Sequence, residues 1–208
     1  LPTDLWVPAT DRIKPQKSDL ISLGGIYEIN KDIDISIEGF YKTMDNIIEY
    51  KEGANYFETN SDWQDKIAMG EGWSYGLEFL LMKKYGNTTG WIGYTWSKSE
   101  RKFDREGQEI SFGKVFPYTY DRRHDISIIV THKFNDHFDI GATWVYGTGN
   151  ATTLAIEKYP SIDQNGEEYN DPYSGDQWSD SPHVNYYETR NNYRMPAYHR
   201  LDIGFNWH

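Results

Sequence analysis

The chain has 208 residues, a formal net charge of −11 at pH 7 and no cysteine. This length suits one large domain, the acidic balance argues against nucleic acid as a partner, and the lack of cysteine excludes disulfides and thiolate metal sites. No apolar run approaches the roughly 20 residues of a membrane-spanning helix. Aromatic residues make up 16% of the chain, with 17 Tyr and 8 Trp.

Seven segments alternate between apolar residues and polar or small residues, with the period of two that is typical of β-strands. In chain order, the predicted strands cover residues 18–29, 33–41, 73–83, 90–97, 124–134, 138–146 and 200–207. No comparable stretch has sustained helical periodicity. The sequence therefore predicts an all-β fold of about seven strands.

The connections between these strands alternate strictly between short and long. Residues 30–32, 86–88 and 135–137 are rich in Asn, Asp and Gly, as hairpin turns require. Long loops are predicted at about 45–72, 98–123 and 147–199. In an antiparallel up-and-down meander, this order brings all the long loops to one end of the sheet, as in outer-membrane barrels.

The apolar face of the strands has two alternative interpretations. If it is covered by a second sheet, the protein is a soluble β-sandwich, for which a carbohydrate-binding module is the alternative function. If it faces lipid, the sheet is the wall of a membrane barrel. The unequal loops and the aromatic residues near the strand ends favour lipid. The predicted lipid-facing residues are Ile35, Ile37, Leu77, Phe79, Ile128, Val130, Ile140, Leu201 and Ile203.

Four stretches resemble the barrel of TonB-dependent outer-membrane receptors of the Bacteroidota type. They are "IKPQKSDLISLGG" (13–25), "WSYGLEFLL" (73–81), "FPYTYDRRHDISI" (116–128) and "MPAYHRLDIGFNW" (195–207). The first looks like a Lys-Pro-Glu element, although Gln16 stands in the place of the usual Glu. The second has Gly76 and Glu78 in the positions of a Gly-x-Glu strand.

This resemblance implies a segment of a transmembrane barrel of about 22 strands that encloses a plug domain. Residues 1–208 are then expected to form part of the barrel domain, with the plug and the final strands absent. The protein would reside in the bacterial outer membrane and import a nutrient: a siderophore, haem, an oligosaccharide or a peptide. Its expected partners are outer-membrane lipid, the plug and remaining strands, the TonB complex acting on the plug, and a surface lipoprotein.

No enzyme activity is predicted. The stretch "GWSYG" (72–76) matches a serine nucleophile motif, but strand alternation continues through Ser74 and leaves no sharp turn for a nucleophile. His124 and His132 share a face but lie about 26 Å apart along a strand, too far to bind one metal ion. No cofactor and no metal site are expected.

The third long loop has an unusual composition, since it combines eight aromatic residues with eight acidic and three basic ones. Disordered linkers lack aromatic residues, so this loop is expected to pack against something. Contact with a ligand and packing against neighbouring loops remain equal alternatives. The candidate ligand-binding residues are Trp178, Tyr186, Tyr187 and Tyr193.

Overall fold

The computed structural model describes residues 8–52, 62–160 and 183–208. Within these residues, almost all regular structure is β-strand, accompanied by two short 3-10 helices at Trp63–Lys66 and Ser111–Gly113. In chain order, the strands are β1 Lys17–Asn30, β2 Ile33–Tyr50, β3 Ile67–Lys83, β4 Thr88–Lys102, β5 Phe116–Pro117, β6 His124–Asn135, β7 Phe138–Gly147, β8 Ala151–Thr152, β9 Glu157–Pro160, β10 His183–Tyr186, β11 Tyr193–Arg194 and β12 Tyr198–Trp207.

The seven long strands form one antiparallel sheet in the order β1-β2-β3-β4-β6-β7-β12. Each strand pairs with its neighbours along the chain, apart from the short strand β5, which pairs with the end of β4. The strands β8 with β11 and β9 with β10 form two small separate sheets. The predicted all-β, antiparallel meander of seven strands is confirmed.

Short side-chain hydrogen bonds close the tight turns at one end of the sheet. The Asn30 side-chain oxygen accepts a hydrogen bond from the Asp32 amide at 2.8 Å, and Asn135 does the same for the His137 amide at 2.8 Å. In the turn between β3 and β4, Gly86 has a φ of 96°, which favours glycine. Sequence reasoning placed these three turns correctly.

The first two long loops are shorter than predicted. Strand β2 continues to Tyr50 and β3 begins at Ile67, so residues 45–50 and 67–72 of the predicted loop belong to strands. The cause is a bulge at Asn46, whose φ is 55° and where the register shifts between Asp45 and Ile47. A bulge reverses which residues face which side, so alternation lapses although the strand continues.

The end of β4 was missed for another reason. Residues 98–102 are all polar, so they give no contrast between faces, yet they pair with β3 as far as Lys102. The predicted loop 98–123 therefore begins at residue 103 and contains β5. The predicted loop 147–199 contains β8, β9, β10 and β11 in its described part.

Two small apolar clusters lie at the end of the sheet that carries the long loops, here called the loop end. One is formed by the buried residues Ile47, Ala68, Phe103, Ile110 and Phe116. The other is formed by Ile13, Ile67 and Met69, with Ile48 and Trp63 packed against it. By contrast, β1 and β12 are exposed at every position.

Candidate functional site

One face of the sheet, here called the apolar face, is apolar across all seven strands. Residues that lie opposite each other in neighbouring antiparallel strands have side chains on the same face. Following this register across the sheet gives one central row: Tyr27, Ile35, Leu81, Ile92, Ile128, Trp144 and Leu201. All nine residues predicted to face lipid lie on this face.

The apolar face is open in the described part of the chain. Ile37, Leu77 and Ile203 are 54%, 55% and 54% exposed. A soluble sandwich would bury this face beneath a second sheet, but the only other sheets among the described residues are the two short pairs β8–β11 and β9–β10. No described residues cover the apolar face as the second sheet of a sandwich would.

Charged and aromatic residues mark the two limits of the apolar face. At the loop end, Lys17, Asp45, Glu71 and Lys102 form one row across β1 to β4. Towards the turn end, the rings of Phe134 and Phe138 stack at 5.3 Å. The aromatic chain Tyr41–Tyr75–Trp96 lies near the loop end, with centroid separations of 6.3 and 6.0 Å. Rings at both limits are typical of membrane interfaces.

The opposite face, here called the inner face, carries charged and small side chains. Glu38 lies directly opposite Glu78, and the same row continues through Thr95 to Asp125. A cavity of about 250 Å³ lies over this row, between Ser36 and Thr95. A water-filled barrel lumen accepts such a surface, whereas hydrocarbon does not.

Asp121 ties two long loops together at the loop end. Its side chain is fully buried, and it accepts a hydrogen bond from the Ser99 amide at 2.7 Å. It forms ion pairs with Arg123 of its own loop and with Arg194 of the loop between β7 and β12. Arg194 also donates to the carbonyl oxygens of Asp121 at 2.6 Å and Gly149 at 2.9 Å. Two guanidinium groups thus compensate one buried carboxylate.

Arg190 makes a second connection, which joins three loops. It donates to the Tyr50 carbonyl oxygen at 2.6 Å and pairs with Glu49 at 3.5 Å. Its backbone amide donates to the Ser111 hydroxyl oxygen at 2.8 Å. The Ser111 amide in turn donates to the Glu52 carboxylate at 3.0 Å. We call the Asp121 and Arg190 contacts together the loop junction.

The loop junction presents an exposed aromatic ring. Ser111, Phe112 and Gly113 follow one another with φ values of 54°, 56° and 69°, in the left-handed region that L residues rarely adopt. Ser111 is buried, but Phe112 is 73% exposed. The surrounding hydrogen bonds hold a strained turn whose ring contributes little to the core, which is a feature of functional loops.

The segment before β1 docks on the loop between β2 and β3. Ile13 is buried, and the Thr10 hydroxyl donates to the Gln64 side-chain oxygen at 2.8 Å. Arg12 contacts Asp65 at 2.5 Å and Asp62 at 3.6 Å. The hydrogen bond from Arg12 lowers the pKa of the Asp65 carboxyl below its ordinary value. This segment belongs structurally to the loop end.

Two of the predicted ligand-binding residues, Tyr186 and Tyr193, lie on different small strands. Tyr186 is in β10 and packs edge-on against Tyr159 at 6.2 Å. Tyr193 is in β11, opposite Thr152 of β8. Both rings are about 40% exposed, and Tyr187 is half-buried. Trp178 lies outside the described residues.

Sequence reasoning missed the residues of the loop junction. Arg190 and Tyr50 are 140 positions apart, so nothing in the local sequence connects them. The only local signal was Asp121 followed by two arginines, inside the stretch that resembles the receptor family. Phe112 gave no signal, because its left-handed conformation is set by contacts from other loops.

An antiparallel meander that is apolar on one face and polar on the other, with long loops at one end, is the wall of a transmembrane β-barrel. Residues 3–208 match the family model described as TonB dependent receptor-like, beta-barrel, so the chain belongs to this family. No curated protein and no solved structure matches the chain.

This membership confirms the family and fold class expected from the sequence motifs. The family is one of transporters of the bacterial outer membrane, which in general act with a plug and the TonB system, and it is not a family of enzymes. No helix among the described residues is long and apolar enough to cross a membrane. In the same part of the chain, no three His, Asp or Glu side chains converge in a way that could hold a metal ion.

Proposed function

We propose that this chain supplies wall and external loops to an outer-membrane transporter that imports a siderophore, haem, an oligosaccharide or a peptide. The observation that carries this proposal is the apolar face. It runs across all seven long strands, with aromatic residues near both ends and a row of charged residues at the loop end. In a bilayer this face contacts lipid, and the nine residues named above form its centre.

The inner face then lines the lumen and contacts the plug. Glu38 and Glu78 lie directly opposite each other, and like charges in this position repel. No ion pair to either carboxylate is found among the described residues. A cationic group from the plug would remove this repulsion, which supports the plug as the partner of this face. The TonB complex would act on the plug and would not touch this sheet.

The loop end faces the outside of the cell in this proposal and carries the ligand-binding surface. Two kinds of residue belong to that surface: the loop aromatics Trp178, Tyr186, Tyr187 and Tyr193, and the strained Phe112. The loop junction fixes the turn of Phe112 and the described segment around Arg190 and Arg194, which lowers the conformational entropy lost on binding. A surface lipoprotein would dock on the same side.

Labelling of single cysteines in intact cells tests this orientation, and the chain contributes no cysteine of its own. Tyr120 lies at the loop end and Tyr85 in a tight turn, and they are 63% and 62% exposed. A membrane-impermeant maleimide should label Tyr120→Cys in intact cells. It should label Tyr85→Cys only after the outer membrane has been permeabilised.

The two variants control for each other because their exposed fractions are nearly equal. Labelling of both in intact cells, or of Tyr85→Cys alone, would contradict the proposed orientation. Recovery of the protein in the soluble fraction, with neither position protected, would contradict the membrane assignment itself.

A further inference from the structure

Two arginines at the loop end share the carboxylate of Glu49, but their contacts with it are long. One Glu49 oxygen lies 3.6 Å from Nη1 of Arg101, and the other lies 3.5 Å from Nη1 of Arg190. Charged hydrogen bonds between such groups are about 2.7–2.9 Å long. Glu49 therefore balances one of the two positive charges, but it does not accept a close hydrogen bond from either guanidinium group.

Arg101 has few polar partners for a buried cation. Its Nε atom is buried and has no hydrogen-bond partner among the described residues. The ring of Tyr118 covers one face of the guanidinium group, with its centroid 3.6 Å from Cζ. The whole side chain is only 14% exposed. Burial of a guanidinium group with unpaired donors is costly, so the group favours a further acceptor.

The Asp121 contacts show a completed arginine pair in the same region. The buried Asp121 carboxylate accepts hydrogen bonds from Arg123 at 3.2 Å and from Arg194. Arg194 also donates to two backbone carbonyl oxygens. The Asp121 carboxylate is thus closely bonded to both of its arginines, whereas Glu49 is not. This difference distinguishes Arg101 and Arg190 from the other arginines of the loop junction.

Arg101 and Glu49 lie on the inner side of the sheet. Arg101 has the parity of the inner-face residue Thr95, and no register shift separates the two along β4. Glu49 lies opposite Ala68, which has the parity of Glu78 on β3. In the proposed orientation, this position is the external mouth of the barrel lumen, which an imported ligand must pass.

We propose that Arg101 and Arg190 bind a carboxylate of the imported ligand at the mouth of the lumen. The proposal rests on the proposed function, which places the loop end outside the cell. A planar carboxylate matches the paired N–H donors of a guanidinium group. With Glu49, it gives two negative charges against two positive ones. A phosphate carries nearly two negative charges by itself and would leave an excess beside Glu49.

This site narrows the class of nutrient that the transporter imports. A siderophore, haem or peptide that bears a carboxylate fits the two arginines. A neutral oligosaccharide has no anionic acceptor and would leave the donors of Arg101 with hydroxyl groups alone. The site therefore favours an anionic nutrient, although the chain as a whole is acidic.

Isothermal titration of the intact purified receptor measures this site with three probes: tricarballylate, which has three carboxylates, inorganic phosphate, and the neutral sugar maltohexaose. Arg101→Gln and Arg190→Gln each remove one guanidinium group. Lys114→Gln is the matched control, because it also removes one positive charge at the loop end. Its partner is Glu188 at 3.6 Å, in an exposed pair outside the loop junction.

A structural role of the two arginines needs a separate measurement. Hydrogen exchange at the Ser111 amide, which donates to Glu52, reports whether the loop junction stays closed in each variant. Arg101→Lys keeps the positive charge beside Glu49 but loses the paired donors. It serves as the second test should Arg101→Gln open the junction.

We expect the intact receptor to bind tricarballylate more tightly than phosphate or maltohexaose. Both glutamine variants and Arg101→Lys should weaken tricarballylate binding about five- to tenfold while the Ser111 amide stays protected, with Lys114→Gln unchanged.

Three results would overturn the site: no binding of tricarballylate, an equal loss in Lys114→Gln, or a loss confined to variants whose junction opens. Unchanged binding in every arginine variant would do the same. Tighter binding of phosphate or maltohexaose would overturn the choice of a carboxylate. Cysteine labelling at Tyr85 and Tyr120 tests the proposed function without this site, so the two failures are distinguishable.

Discussion

Arginine scanning of the two faces gives the sharpest test of the membrane assignment. Ser127 and Ile128 are neighbours in β6, but Ser127 lies on the inner face and Ile128 at the centre of the apolar face. Ile128 is four residues from each of His124 and His132, which lie near the two limits of that face. These four residues correspond to about 13 Å along the strand, or ~10 Å of depth after the usual tilt.

A position at this depth is close to the bilayer midplane. We expect Ile128→Arg to lower the free energy of unfolding by about 2–4 kcal/mol, because the charge must enter hydrocarbon. Leu77 lies nearer the aromatic residues of the loop end, so Leu77→Arg should cost less than Ile128→Arg. Ser127→Arg points into the lumen and should cost much less. Thr143→Arg should be mild as well, since Thr143 lies opposite Asp202 on the inner face.

Chemical unfolding of the intact receptor in lipid vesicles measures these differences, and heat-modifiable mobility on gels reports whether each variant folds. The expected loss of unfolding free energy is largest for Ile128→Arg, smaller for Leu77→Arg, and smallest for Ser127→Arg and Thr143→Arg. Equal costs on the two faces, or a larger cost for Ser127→Arg than for Ile128→Arg, would refute the assignment of the apolar face to lipid.

Four further predictions concern the loop end and the sheet edges. Asp121→Ala should lower the free energy of local opening of its loop by about 2 kcal/mol, as measured by hydrogen exchange, because buried donors lose their acceptor. Unchanged exchange would show that the loop junction does not hold this loop closed. Phe112→Asn should reduce uptake while unfolding free energy stays within about 0.5 kcal/mol, because Asn tolerates the left-handed turn; normal uptake would remove Phe112 from the binding surface. Replacing each loop aromatic with alanine (Trp178, Tyr186, Tyr187 and Tyr193) should reduce uptake without affecting folding. Uptake that survives all four replacements would mean that these rings only pack within the loop. Residues 1–208 expressed alone in water should aggregate, because two strand edges and the apolar face are open; a monodisperse monomer that melts cooperatively in size-exclusion and circular dichroism experiments would contradict this.

The sequence alone was sufficient to locate the long strands, because the two faces of each strand lie in different environments, one apolar and one polar. Alternation of apolar and polar residues located all seven long strands of the main sheet but not the short strand β5, and the nine apolar-face residues follow from parity alone. Alternation failed where the environments stop differing. Beyond Asn46 a bulge reversed the parity, and in residues 98–102 both faces of β4 are polar.

The candidate site could be predicted only in part. Tyrosines in a loop attract notice by composition, but composition does not show which rings are held in place. The contacts that position the loops join residues such as Arg190 and Glu49, which are far apart in sequence and are brought together by the sheet. Phe112 is exposed for the same reason, because three loops determine its turn.

The connectivity of the sheet also determines the order in which its contacts can form. Every pairing between the long strands joins neighbours in the chain, so the sheet can grow hairpin by hairpin, with each new edge as the template for the next strand. The contact between Arg190 and Tyr50 spans 140 residues and joins the end of β2 to the loop between β7 and β12. We therefore expect the contacts between the long loops to form late in assembly, after the hairpins that carry them have paired.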